Sequence, residues 1–213
     1  MPRRRRVTPD QILAAAALEF AERGFAGAGV DRIARRARVN KAMLYYHFKS
    51  KRALYRALLR RTFSRAAERL QAIAAADAPP SQKVDRVIVA FTELIREQSF
   101  FPAIMLREVA EGGAHLDPET LAVLASVPRA FAGIVGQGIG AGEFREVNPL
   151  FTYFSVVVPI VFFMCAAPIR EELDARRLLP NGIGDPEDFI RHMQANARRT
   201  LSPDDGAGPG ART

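Results

Sequence analysis

Tryptophan is absent from this chain of 213 residues, and cysteine occurs once, as Cys165. A single thiol excludes an intrachain disulfide framework and fits a reducing compartment, so a cytoplasmic protein is expected. Histidine occurs only as His47, His115 and His192, which do not cluster along the chain. No nucleophile motif and no phosphate-binding loop is present, so no enzymatic chemistry is expected. Strand patterning is scarce. One almost uncharged apolar segment, Phe151–Ala167, is shorter than the roughly 20 apolar residues that span a bilayer, and Pro159 interrupts it. A helix apolar on all sides belongs more often to a core or an interface, and no membrane insertion is expected. The N-terminal MPRRRR leads into Thr8-Pro9-Asp10 rather than an apolar stretch, so no export signal is read there.

What is present is apolar mass, helix signals and an uneven charge. Hydrophobic residues make up 48% of the chain, enough to fill a core. Residues 1–63 hold 16 basic and four acidic side chains, a net +12, whereas the remainder holds 15 basic and 19 acidic, a net −4. A basic head on a mildly acidic body is the footprint of a polyanion-binding module joined to a second domain.

Helix starts and stops punctuate the whole chain. Thr8, Pro9 and Gln11 form a capping box with proline at the first helical position. Ile12, Leu13, Ala16, Ala17 and Phe20 then share one face, with Glu19, Glu22 and Arg23 opposite, and Gly24 ends the helix. A short helix over about Val30–Ala37 buries Val30, Ile33, Ala34 and Ala37. A third follows Asn40 as its N-cap and turns Leu44 and Phe48 inward. Ser50 caps a long helix from Lys51 to about Ala76. Ala78-Pro79-Pro80 breaks the chain, and Ser81 caps a helix ending near Gln98. Pro102 opens another that stops at Gly112-Gly113. Asp117-Pro118 starts the next, which Pro128 is expected to kink and which ends among Gly136, Gly138, Gly140 and Gly142. The last two helices are about Pro149–Ala167 and Pro186–Leu201. The pattern is all-α with nine or ten helices. It divides into an N-terminal three-helix head over 8–60, a helical body over 61–201, and a tail over 202–213 expected to be disordered.

The most informative segment is 25–51, FAGAGVDRIARRARVNKAMLYYHFKSK. Two short helices joined by a tight turn and packed on a preceding helix make a helix-turn-helix, whose second helix presents its first turns to the major groove. Asn40, Lys41 and Met43 occupy that leading end. Tyr45, Tyr46 and His47 sit where hydroxyls and an imidazole can bond phosphate oxygens. Lys51 stands at the start of the following helix, where free backbone N–H groups also favour a phosphate.

The run Gly24-Phe25, Val30, Ile33-Ala34, Ala37, Val39, Leu44-Tyr45, His47-Phe48 and Ser50-Lys51 resembles the DNA-binding domain of the TetR family of repressors, over about residues 8–60. The resemblance implies a repressor that binds a palindromic operator as a homodimer and is released by a small-molecule effector. It places Lys41 and Met43 at base edges or their flanks, and Tyr45, Tyr46, His47 and Lys51 mainly on phosphates. It implies a dimer interface made by the last two long helices. An effector cavity among the middle helices would draw its lining from Phe91, Phe101, Met105, Phe131, Phe154 and Met164, and such a lining implies a hydrophobic effector. Three positions depart from the family pattern: Ala28-Gly29 where a hydroxyl residue is usual, Arg38 where the turn usually has glycine, and Met43 where Thr or Ser is commoner.

Other features read more plainly. Arg3–Arg6 is either an arm that reaches a minor groove or a solvated charge run. Glu108, Glu111 and His115 have a spacing suggestive of a metal face, but Gly112-Gly113 ends the helix between them. A solvated loop is therefore expected, with no metal and no cofactor. Two rival functions share the basic head: a constitutive architectural DNA-binding protein with no effector, and a peripheral membrane protein held by the arginine arm.

Overall fold

The computed structural model describes residues 8–178 and 184–203. The Arg3–Arg6 arm and the tail beyond residue 203 lie outside them. The described residues form ten helices and no strand: α1 Pro9–Gly27, α2 Val30–Arg36, α3 Lys41–Phe48, α4 Lys51–Ala75, α5 Pro80–Glu97, α6 Phe101–Ala110, α7 Pro118–Gly140, α8 Pro149–Cys165, α9 Ala167–Ala175 and α10 Pro186–Leu201. The all-α class follows directly from the density of caps and the helical period.

Most helix starts are those the local signals dictate. Gln11 accepts from the Thr8 N–H at 3.4 Å. Asn40 accepts from the Met43 N–H at 2.7 Å, and Ser50 Oγ from the Ala53 N–H at 3.0 Å. Asp117 accepts from the Thr120 N–H at 2.9 Å. Each satisfies a donor that the first turn of a helix leaves open. Ser81 does not cap α5. The helix starts two residues earlier than that cap implies, with Pro80 in its first position, where a missing N–H is harmless. Gly24 interrupts α1 as expected, at φ 67°, but the chain recovers a helical turn through Gly27. Pro128 lies inside α7, which continues past it as one helix. The helix expected over about Pro149–Ala167 is α8, ending at Cys165, and a further short helix not expected from the sequence, α9, follows it at a bend of 56°.

Contacts group the chain into two units. The first comprises the residues up to Arg65 together with Glu97–Ser126, and the second Ala66–Arg96 together with the residues from Val127 onward. The first unit is built around Ile12, Ala16, Phe20, Ile33, Leu44, Leu54, Leu59 and Ile104, all almost wholly buried. Phe20 meets Tyr55 edge-on at 4.8 Å. Val30, Ala37 and Phe48, expected inside, are half-buried.

In the second unit α5 buries Val84, Val87, Ile88, Phe91, Leu94 and Ile95, a stripe at helical spacing. Val127, Phe131, Ile134 and Val135 of α7, Val156, Val157 and Ile160 of α8, and Ile190, Met193, Ala197 and Leu201 of α10 complete the core. Lys83 is buried here, and its ammonium donates to Ala74 O and Gln137 Oε1, both at 2.8 Å. A cation on the last carbonyls of α4 also meets the negative end of that helix's dipole. By length and composition α7 is apolar enough to cross a membrane, as are α8 and α9 if counted as one bent span. Of that apolar stretch of α7, 28% is buried, with Val127, Phe131, Ile134 and Val135 in the core.

Candidate nucleic-acid interface

α1, α2 and α3 form the helix-turn-helix, and its geometry rests on a residue that periodicity places wrongly. Glu19 belongs to the polar side of α1 by spacing, yet it is only 2% exposed. Its carboxylate accepts from the Gly29 N–H at 3.3 Å and from Arg32 Nε, with Arg23 Nε 3.4 Å away. Burial by itself would raise this carboxyl's pKa. The hydrogen bonds from Arg32 and Gly29 and the charges of Arg32 and Arg23 together outweigh it, and hold the group below its ordinary value. Glu19 thus supplies, from α1, the acceptor at the start of α2 that Ala28-Gly29 cannot. Arg36 and Glu22 add a two-pronged pair at 3.0 Å for each bond, tying α2 to α1.

The turn between α2 and α3 confirms why glycine would suit it. Arg38 has φ 57°. The Val39 N–H bonds Ala34 O at 2.9 Å and the Arg38 N–H bonds Arg35 O at 3.1 Å, which is a Schellman ending with arginine in the left-handed position. A side chain with a Cβ is strained there. Arg38→Gly is therefore expected to stabilise the protein by about 1 kcal/mol, part of the relief being offset by glycine's greater freedom when unfolded. Urea titration of the two proteins checks this, and a less stable glycine variant would contradict it.

On α3 only Leu44 is fully buried; Lys41, Ala42, Met43, Tyr45 and Tyr46 face solvent, and His47 is half-buried. Tyr46 is the most open of the large apolar side chains of α3, at 71%, with His47 against it edge-on at 5.3 Å and Lys49 Nζ 5.6 Å from its ring. Asn40 is occupied as the N-cap. Lys41 Nζ pairs with Asp31 at 3.0 Å, and that hydrogen bond and charge raise its pKa. These side chains share one exposed face of a short helix bounded by basic residues.

Lys51 has a task that the spacing does not reveal. Its ammonium donates to Ala28 O at 2.9 Å and Ala26 O at 3.2 Å, and lies 4.8 Å from the centre of the Phe25 ring. It thereby ties the start of α4 to the last turn of α1 and the residue that follows it. Lys51→Ala is expected to lower stability by about 1–2 kcal/mol through these bonds, quite apart from any loss of affinity for a polyanion. A melting temperature equal to that of the parent would show that the tie contributes nothing.

Glu108, Glu111 and His115 do not lie apart on a solvated loop. The chain folds back after Gly113, and their ligand-type atoms all come within 4.8 Å of one another. Glu108 is buried and accepts from Tyr55 Oη at 2.9 Å and the His115 N–H at 2.9 Å, with His115 Nδ1 3.1 Å away. Burial and then the bond to Glu108 push the Tyr55 phenol above its ordinary pKa. His115 also lies 4.0 Å from the Phe25 ring. The cluster braces α6 against α4 and the turn of α1.

The six residues expected to line an effector cavity fall in different places. Phe91 and Phe131 are buried in the second unit and flank Tyr153 at 6.4 and 5.8 Å. Phe154 touches the same ring at 5.6 Å but is 53% exposed. Met164 is half-buried. Phe101 and Met105, both half-buried, belong to the first unit, where Phe101 meets Phe63 edge-on at 5.5 Å. Tyr153, whose phenol burial pushes up to about 12, went unnoticed inside an apolar run. A surface cavity of about 350 Å³ in the second unit is lined by Ile73, Asp85, Arg86, Val89, Ala90, Glu93 and Gln194, and by none of the six.

The comparison with known proteins matches this geometry. Residues 12–58 fit the family model described as bacterial regulatory proteins, tetR family. The helix-turn-helix of this chain is a tetR-family domain. Over 89 residues the chain is 36% identical to the transcriptional activator FasR of Mycolicibacterium smegmatis, covering 42% of this chain and 41% of that protein. Over 52 residues it is 44% identical to the transcriptional repressor SCO4008 of Streptomyces coelicolor, covering 24% and 27%. The chain therefore matches well under half the length of these curated relatives. Among solved structures, the transcriptional regulator FadR from Bacillus subtilis, in complex with stearoyl-CoA, superposes with a TM-score of 0.71 at 18% identity, over 91% of this chain and 99% of that one. The ketosteroid regulator KstR2 of Mycobacterium tuberculosis gives 0.68 at 21% identity, over 92% and 95%. At these identities the tetR-family likeness beyond the first helices is one of fold.

Proposed function

We propose that the protein is a cytoplasmic transcriptional repressor whose homodimer binds a palindromic operator and leaves it when a small hydrophobic effector binds. The observation that carries this is α3: a helix with one residue fully buried and an exposed face of Lys41, Met43, Tyr45 and Tyr46, following an α2 that Glu19 and Arg36 tie to α1. Such a face is of little use to the fold and fits a major groove. On this reading residues 8–60 are the reading head and 61–201 carry dimerisation and effector binding. The acyl-CoA bound by FadR and the ketosteroid in the description of KstR2 name the apolar chemical classes to test first.

Selection of bound sequences from random DNA tests the proposal. A two-fold site is expected, and release from it by long-chain acyl-CoA or a steroid separates a regulator from a constitutive architectural protein. Enrichment of no sequence at all would remove the regulator reading. Lys41 is the residue proposed to read sequence, giving up Asp31 for guanine O6 or N7. Lys41→Ala should then relax preference at one position per half-site, where the wrong base now loses about 1–3 kcal/mol. Uniform weakening across all base-pair variants, with a shallower salt dependence, would assign Lys41 to a phosphate instead.

A further inference from the structure

Two residues in left-handed backbone conformations bracket α3, and both are cations. Arg38, before it, has φ 57°, and Lys49, after it, has φ 59° and ψ −39°. Around Lys49 the Ser50 N–H bonds Phe48 O at 2.5 Å, which closes a γ-turn of the rare, strained kind. Glycine would take either position at no steric cost. Strain of this sort clusters at binding and active sites. The negative end of a helix also favours a cation, and Arg177, which follows α9 in the second unit, has φ 55° as well. Conformation alone therefore marks no site. Placement and occupancy separate the three.

Most other cations of the helix-turn-helix are already engaged within the fold. Glu19 holds Arg23 and Arg32, Glu22 holds Arg36, and Asp31 holds Lys41. Two backbone carbonyls hold Lys51. Arg38 and Lys49 are exposed and have no ion pair among the described residues; Lys49 lies only against the Tyr46 ring. They stand at opposite ends of the exposed face of α3, whose eight residues rise about 12 Å. We propose that Arg38 and Lys49 anchor two different phosphates of bound DNA, one at each end of α3, and so fix its register and tilt while Lys41 reads bases. This rests on the reading of α3 as the helix that enters the groove. Arg38 stands where the tetR-family turn usually has glycine, so its anchor is no part of the family pattern. The strained backbone at both positions is retained for the charge it carries.

Fluorescence anisotropy of the full chain on a labelled duplex pool of random sequence, titrated with salt, tests the proposal without knowledge of the operator. Arg38→Gly and Lys49→Gly should each make the log–log salt slope shallower by about 0.9 per head bound, and weaken binding about five- to tenfold at about 0.1 M salt. Both should raise the urea midpoint, because glycine relieves the positive φ. A residue that only shapes the fold would move binding and stability in the same direction. Arg38→Lys and Lys49→Arg keep the charge and should keep the parent's slope. Arg177→Gly should share the gain in stability and leave the slope unchanged. Should a glycine variant fold poorly, Arg38→Asn and Lys49→Asn repeat the slope measurement with a residue that also tolerates positive φ. Neutral variants that bind with the parent's slope, charge-keeping variants that lose it, or an Arg177→Gly variant that lowers it equally would each overturn the proposal. A parent that binds no duplex at all would instead remove the reading of α3 on which the proposal rests.

Discussion

Replacing Phe151 and Phe162 together with aspartate is expected to leave a folded monomer whose affinity for a palindromic site has fallen by at least about 100-fold. α8 is apolar all round, but the protomer covers only one side of it. Thr152, Val156, Val157 and Ile160 are buried, whereas Phe151 is 72% exposed and Phe162 63%, with Phe154 and Val158 between them on the open side. Residues at 151, 154, 158 and 162 form a stripe along one helix face. An uncovered stripe of this kind marks an interface, and a two-fold interface would bury it twice. Because both phenylalanines are open in the protomer, the charges do not enter its core. Two linked heads bind a two-fold site more tightly than one by about 10²–10⁴, and the double variant forfeits that gain. Light scattering and fluorescence anisotropy on the selected site read the two effects. A variant that remains dimeric, or a parent that is monomeric yet protects both half-sites, would refute the assignment.

Gly138→Ala is expected to destabilise the protein by about 3 kcal/mol or more, although alanine is the better helix former by about 1 kcal/mol. A Cβ on Gly138 would lie 2.0 Å from Phe144 Cδ2, far inside any tolerated contact. Phe144 cannot step aside, since it is buried and its N–H bonds Gly138 O at 3.1 Å. Gly136→Ala in the same helix is the control, because its Cβ would meet nothing within 4 Å. It should be neutral or stabilising by up to about 1 kcal/mol. In urea the two variants should move the midpoint in opposite directions. A Gly138→Ala variant that melts with the parent would show that Phe144 has room to move.

These four glycines illustrate what can be read from a sequence. Gly136, Gly138, Gly140 and Gly142 together announce the end of a helix, and α7 does end at Gly140. Nothing in their spacing distinguishes Gly138, which accommodates an aromatic ring, from Gly136, which faces open space. The difference is made by Phe144, placed by a turn whose path the local pattern does not encode. The helix-turn-helix was legible for the opposite reason. Its caps, its small and branched core residues and its turn all act within a few positions of one another, so the spacing from Gly24 to Lys51 carries the geometry.

The sequence by itself determined the helices and their order, because a cap acts over three residues and an apolar stripe repeats within four. It also determined the basic head, since charge is counted without knowing the path of the chain. Tertiary structure alone decided what those side chains do. Glu19 moved from the polar side of α1 to a buried acceptor because Arg32 and Gly29, more than nine positions away, brought donors to it. Lys51 became a tie because Ala26 and Ala28 turned their carbonyls toward it across more than 20 positions. Glu108 drew Tyr55 and His115 together across a glycine pair that, read locally, only ends a helix. For Glu19, Lys51 and Tyr55 the deciding partner is remote in sequence, and its energy is gained only once the chain has closed the intervening loop.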